Sequence, residues 1–194
     1  MRRILLVLAT MAAAVLVASG ATLAAPAYTH AGKITINDSE SPPTTATPYP
    51  SEIVVSGLPG LITDVNVVLR GFSHTFPEDV DMLLIGPSGN LNVTVMSDVG
   101  GTVGVRNTTL VLDDQATDFL PDGGPLTGGT YKPTDSDTDG GDTFPGYTPS
   151  GLSELSLFNN TNPNGTWRLY VVDDATQDAG QLRSWSLDIT TATS

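Results

Sequence analysis

The 194-residue sequence contains no cysteine. That absence removes thiol catalysis, thiolate metal sites and disulfide frameworks together. It also excludes lipid attachment through a cysteine near an export signal. Histidine is scarce, with two copies, so a histidine-built zinc site has too few ligands. Basic residues are few as well: eight Lys and Arg stand against 21 Asp and Glu. A surface of that sign repels nucleic acid and anionic membranes, and no nucleic-acid partner is expected. Only two tryptophans are present, and both fall in apparent core registers. Paired carboxylates that could serve glycoside chemistry therefore lack an aromatic-lined groove. No apolar run follows the 3.6-residue helical period, and nothing resembles a βαβ crossover.

What is there begins with an export signal. Arg2 and Arg3 precede an apolar run from Ile4 to Val17, and Ala25-Pro26-Ala27 offers a small-residue cleavage site. The run is shorter than the roughly 20 residues a membrane-spanning helix needs. Residues 1–27 are thus expected to be a removed signal peptide. No membrane span is expected in the mature form, which would be secreted, or periplasmic in a host with an outer membrane. Removal of Arg2 and Arg3 leaves six basic residues against 21 acidic ones, a net charge of −15. The remaining 167 residues are long enough for one domain with a real core and no covalent staples.

Along that domain, period-two alternation recurs. It runs through Val65–Arg70, Val80–Ile85, Leu91–Met96, Trp167–Val172 and Trp185–Thr190. Each alternation turns one face of a strand toward a core. Lys33–Ile36, Glu52–Val55, Thr108–Leu112 and Leu152–Leu157 add shorter strand candidates. Turn signals such as Gly86-Pro87-Ser88-Gly89 and Asn162-Pro163-Asn164-Gly165 separate them. About eight to nine strands in this pattern predict an all-β fold, a jelly-roll β-sandwich. Residues 28–50 read as a flexible approach with a first strand. Ser39 to Pro50 carries four prolines and cannot pair in mid-sheet. Residues 51–194 hold the sandwich. Within them Asp113 to Pro149 is rich in Asp, Gly, Thr and Pro, and too polar to make a core of its own.

The acidic residues collect at candidate cation sites. Asp135-Ser136-Asp137-Thr138-Asp139-Gly140 places carboxylates at alternate positions before a glycine, like the first half of an EF-hand loop. The second half fails, because the twelfth position is Gly146. Asp113-Asp114 and Asp173-Asp174 each follow an alternating strand, and Asp178 lies just beyond the second pair. Asp79, Asp81 and Asp98 lie at or beside strand ends. Adjacent carboxylates repel unless hydrogen-bonded or bridged by a cation, and calcium is the expected cofactor of an exported oxygen-donor site. Capping of turns by Asp, or a solvated acidic loop, is the alternative. His74 sits between Ser73 and Thr75, but adjacent strand side chains point to opposite faces. No G-x-S-x-G elbow is present, and His30 falls in a stretch expected to fray. Catalytic residues are therefore expected to be absent. Asn92, Asn107, Asn159 and Asn164 open N-x-S/T sequons, which matter only in a glycosylating host.

These residues together resemble a known family. Val55-Ser56-Gly57-Leu58, Ser73-His74-Thr75, Asp79-Val80-Asp81 with Gly86-Pro87-Ser88-Gly89, Met96-Ser97-Asp98, Asn164-Gly165-Thr166-Trp167, and Asp173-Asp174 with Asp178, Gly180 and Trp185-Ser186-Leu187 carry the likeness. From Ile34 to Thr190 the chain is similar to the P domain of proprotein convertases, the P/Homo B domain, in its bacterial form. The resemblance implies a galactose-binding-like β-sandwich of eight or nine strands without catalytic residues. In convertases this domain follows a subtilisin-like protease domain and stabilises it. No protease domain fits in the sequence as written, so two roles are open. One is an interaction or structural module binding an exported or cell-surface protein. The other is an accessory part of a subtilisin/kexin-like serine endopeptidase system, with the protease on another chain. Calcium binding is implied for some bacterial copies. Oligomeric state has no signature in the residues.

Overall fold

Alternating strands need a second layer to cover their apolar faces, and the chain supplies two sheets. The computed structural model describes residues 28–136 and 141–193; the expected signal peptide lies outside them. Among the described residues, thirteen strands form: β1 Tyr28–His30, β2 Ile34–Ile36, β3 Thr44–Thr45, β4 Ser51–Val55, β5 Leu61–His74, β6 Val80–Ile85, β7 Asn92–Ser97, β8 Val105–Leu112, β9 Gly129–Tyr131, β10 Thr134–Asp135, β11 Gly165–Asp173, β12 Gly180–Leu182 and β13 Ser184–Ala192. The alternating segments are the long ones. The surplus over the expected eight or nine consists of strands of two or three residues, too short to show a period. Leu152–Leu157, expected as a strand, instead contains a short 3₁₀ turn at Leu155–Phe158. Its buried Leu155 and Phe158 lie three residues apart, the repeat of that turn. No helix among the described residues is long and apolar enough to cross a membrane.

One sheet has seven strands, in the order β1-β13-β5-β12-β2, with β8 on the other edge of β5 and β9 beyond it. The other has six, in the order β10-β7-β6-β11-β3, with β4 also paired to β11. His30 sits in β1, paired across from Trp185, so its backbone is held in a sheet rather than fraying. The proline-rich approach pairs at sheet edges: Thr44 and Thr45 meet Asp173 and Val172 of β11, and Thr47 bridges Thr35 of β2.

The inward faces of the two sheets enclose one large core. Trp167, Leu169 and Val171 of β11 face it from one sheet, and Trp185, Leu187 and Ile189 of β13 from the other. Both indoles are fully buried, and each polar tip is answered: Trp167 Nε1 donates to Pro163 O (2.9 Å) and Trp185 Nε1 to Ser51 Oγ (2.8 Å). That is the condition for burying tryptophan without loss. Phe158 packs edge-on against Trp167, with ring centroids 4.8 Å apart.

The outward face of the six-stranded sheet is covered too. Every residue of β6 and β7 is buried. On β6 the alternation is apolar on both faces after Asp81, since Leu83 and Ile85 occupy the outward side. They join Val172 and Phe144 in a second core flanked by Tyr49, Tyr147 and Tyr170. Phe144 and Tyr147 come from the long polar stretch expected to lack a core. Leu120 and Leu126 of the same stretch enter the main core instead. A few apolar residues among many polar ones are enough when a sheet face already waits for them. Further along, Ser150 N donates to Asn92 Oδ1 (2.7 Å) and Ser150 Oγ to Asn92 O (2.8 Å), tying this cover to β7.

Candidate metal centre

The outward face of β6 begins with a carboxylate. Period two places Asp81 on the same side as Leu83 and Ile85, under the covering segment. It is 1% exposed, and neither carboxylate oxygen has a hydrogen-bond partner among the described residues. Next to it β7 ends in Ser97, and the chain turns at Asp98 with φ of 52°, a left-handed conformation that aspartate tolerates better than most residues. Asp142 arrives from the covering segment two residues before the buried Phe144. One carboxylate oxygen from each of Asp81, Asp98 and Asp142 lies within 4.8 Å of the others. Ser97 Oγ lies 3.0 Å from Asp98 Oδ2 and 2.8 Å from Asp142 Oδ2, with a single proton to donate between them. Burial raises the Asp81 carboxyl well above its ordinary range, the charges of Asp142, Asp174 and Asp98 push it the same way, and the neighbouring Ser97 hydroxyl opposes them. An open pocket of about 260 Å³, bordered by Asp98, Asp142, Asp174, Pro42 and Pro43, leads to this group from solvent.

The other acidic candidates fall elsewhere. Asp114 Oδ1 accepts from Leu155 N (2.9 Å) and Oδ2 from Ser156 N (2.7 Å). It therefore caps the first turn of the 3₁₀ segment. Asp113 Oδ1 accepts from Gln115 N (2.7 Å), a local turn. Asp173 is fully buried at the end of β11, its Oδ2 lying 3.1 Å from His74 Nε2. Asp178 Oδ1 accepts from Thr75 Oγ1 (2.7 Å). Asp79 precedes β6, and its carboxyl is pushed up to about 7 by burial and by the charges of Asp173, Asp174 and Asp178, with His74 opposing. Asp174 borders the pocket. Asp135 stands on β10, parallel to β7 and level with Ser97, so the D-x-D-x-D-G string starts beside the three-carboxylate group. Asp137 and Asp139 lie outside the described residues.

Among the described residues Asp81, Asp98 and Asp142 are the one group of three such ligands that converges. Asp142 was not a candidate from the sequence. It stands outside the alternating string and beside no strand, and only the buried Phe144 two positions later marks its segment as held against the sheet. His74, by contrast, is accounted for structurally. Nδ1 lies 2.8 Å from Phe76 O and 3.3 Å from Phe76 N, and Nε2 lies 3.1 Å from Asp173 Oδ2. Both ring nitrogens are engaged within the protein, and no hydroxyl is among their partners, as a nucleophile–base pair would need. Ser73 Oγ accepts from Asn107 N (2.8 Å) instead. Gly180 contributes by close approach rather than by turn geometry: a Cβ there would fall on the Ser73 carbonyl and the His74 ring. Gly165 does meet a turn requirement, with φ of 133°.

Residues 130–189 match the family model described as the proprotein convertase P-domain. The match bears out the resemblance read from the sequence, and the matched stretch contains β11, β12 and the first six residues of β13, with both tryptophans. No curated protein matches the chain. Among solved structures, it is similar to a crystal structure of the Aeromonas sobria serine protease in complex with a chaperone. That likeness has 15% identity and a TM-score of 0.38 over 87% of this chain and 28% of that one. A crystal structure of the Aeromonas sobria serine protease is similar at 18% identity and a TM-score of 0.37, over 84% of this chain and 27% of that one. This chain thus spans less than a third of those chains.

Proposed function

We propose that the chain acts outside the cytoplasm as an accessory P-domain module of a subtilisin/kexin-like serine endopeptidase system, stabilising the protease rather than cutting peptides. The observation that carries this reading is the P-domain match over residues 130–189, joined to a His74 committed to internal hydrogen bonds. In this reading residues 1–27 direct export and are removed, residues 28–50 lead into the domain, and residues 51–194 form a sandwich with jelly-roll winding. Calcium is its cofactor, held at the acidic end of the six-stranded sheet and serving stability rather than bond cleavage.

The test is to refold a subtilisin-like endopeptidase of the same host with and without residues 28–194. The module is expected to raise the yield of active protease or its inactivation temperature, and to cleave no peptide by itself. Peptide cleavage by the purified module that disappears in His74→Ala would overturn the reading. A protease indifferent to the module would leave a binding role toward a different exported protein.

A further inference from the structure

We propose that Asp81, Asp98 and Asp142 form a calcium site that fastens the segment around Phe144 to the outer face of the six-stranded sheet. This deepens the calcium part of the function proposed above and is independent of the protease partner.

An acidic cluster alone would not carry the inference. The second observation is Asp81. Its carboxylate is 1% exposed, and both oxygens lack a hydrogen-bond donor among the described residues. A buried carboxylate left without donors is costly unless it is protonated or meets a cation. Protonation is one answer to that cost. A cation is the other answer, and the geometry accommodates one. Calcium holds oxygens at about 2.3–2.6 Å, so oxygens across one ion stand up to about 5 Å apart. The three carboxylate oxygens lie within 4.8 Å of one another. The donors are all hard oxygens, with no thiolate or imidazole among them, which selects calcium-like over zinc-like ions. Coordination has room to be completed by water, since the adjoining pocket opens to solvent beside Asp98 and Asp142.

The three ligands come from separate parts of the chain. Asp81 belongs to β6, Asp98 follows β7 and Asp142 leads the covering segment. A shared ion therefore closes a tertiary junction. Without it three carboxylates oppose one another where Phe144 must be held down; with it the same charges become the attachment.

The experiment follows residues 28–194, which hold both cores, by thermal melting and calorimetric titration in EDTA-treated buffer, with calcium chloride and magnesium chloride as probes. Calcium is expected to raise the melting temperature saturably and by more than magnesium does. Asp81→Asn is expected to melt above the wild type in EDTA, because the cost of burying an ionisable carboxyl is gone. The same variant should bind calcium at least tenfold more weakly. Asp142→Asn should lose the calcium response too, while Asp114→Asn keeps it. Retention of the full response in both Asp81→Asn and Asp142→Asn overturns the site. So does a wild-type calcium shift no larger than that of magnesium. Because no protease is present, failure here leaves the accessory reading standing, and failure of the refolding assay leaves this site standing.

Discussion

Asp114 and Asp81 are both aspartates at strand ends, yet the molecule treats them in opposite ways. Asp114 follows β8, and both its oxygens accept from backbone N–H groups of the 3₁₀ segment. Asp81 starts the outward row of β6, and neither of its oxygens accepts from anything described. Asp173 stands between them, fully buried but met by His74. The difference teaches that partners, not residue type or position along a strand, decide whether an aspartate is a cap, a structural pair or a buried carboxylate without a donor.

The comparison can be broken most forcefully at its middle member. His74→Ala strips Asp173 of its partner in a site with no exposure on either side chain. The expected loss is about 3–5 kcal/mol, the scale for breaking a buried pair, read by denaturant unfolding at neutral pH. A loss below about 1 kcal/mol would mean the pair does not hold β5 to β11. Trp185→Ala, which empties the core beneath this frame, should cost about 3–5 kcal/mol on the same assay, with no change in the calcium affinity of any remaining fold.

Asp81→Asn should move the other way. Relief of an unsatisfied buried group is worth about 1–3 kcal/mol, so the variant should be more stable than wild type in EDTA. Its advantage should shrink or reverse at saturating calcium. Asp114→Ala should cost about 1 kcal/mol, the ordinary value of a lost cap, equally with and without calcium. A cost that depends on calcium would erase the distinction between the two aspartates.

The smallest effect concerns Asp64 on β5. Burial, then the charge of Asp113, raises its carboxyl above the ordinary range, and the Gln115 side chain opposes them. A carboxyl raised in the folded state contributes stability that is fully present below its unfolded value, near 4, and fades as pH climbs through the folded value. Asp64→Asn should therefore melt slightly higher than wild type at pH 8, and the difference should vanish toward pH 4. The group is partly exposed, so solvent screening keeps the effect small.

Much of the architecture was legible in the chain. Trp167, Leu169 and Val171, and Trp185, Leu187 and Ile189, alternate as an inward face must, and they do line the main core. The doubled apolar pattern of Leu83 and Ile85 already held the sign of a covered outer face, although the cover itself was not apparent. Leu152–Leu157 misled because three leucines spread over six residues are too short a pattern to separate strand from 3₁₀ turn. The candidate centre was half legible. Asp81 and Asp98 stand beside recognisable strands, whereas Asp142 lies 44 positions beyond Asp98 in a stretch whose composition suggests solvent.

What the amino-acid order settled by itself was local: strand periodicity, turn chemistry, the absence of thiols and the excess of negative charge. These depend on neighbours within a few residues and on composition, so they survive in one dimension. The convergence of Asp81, Asp98 and Asp142 was decided only in the tertiary structure, as were the capture of Asp173 by His74 and the burial of Phe144 against β6. Each depends on which strand lies beside which and what covers the sheet. That is a matter of long-range packing, which residue spacing does not encode.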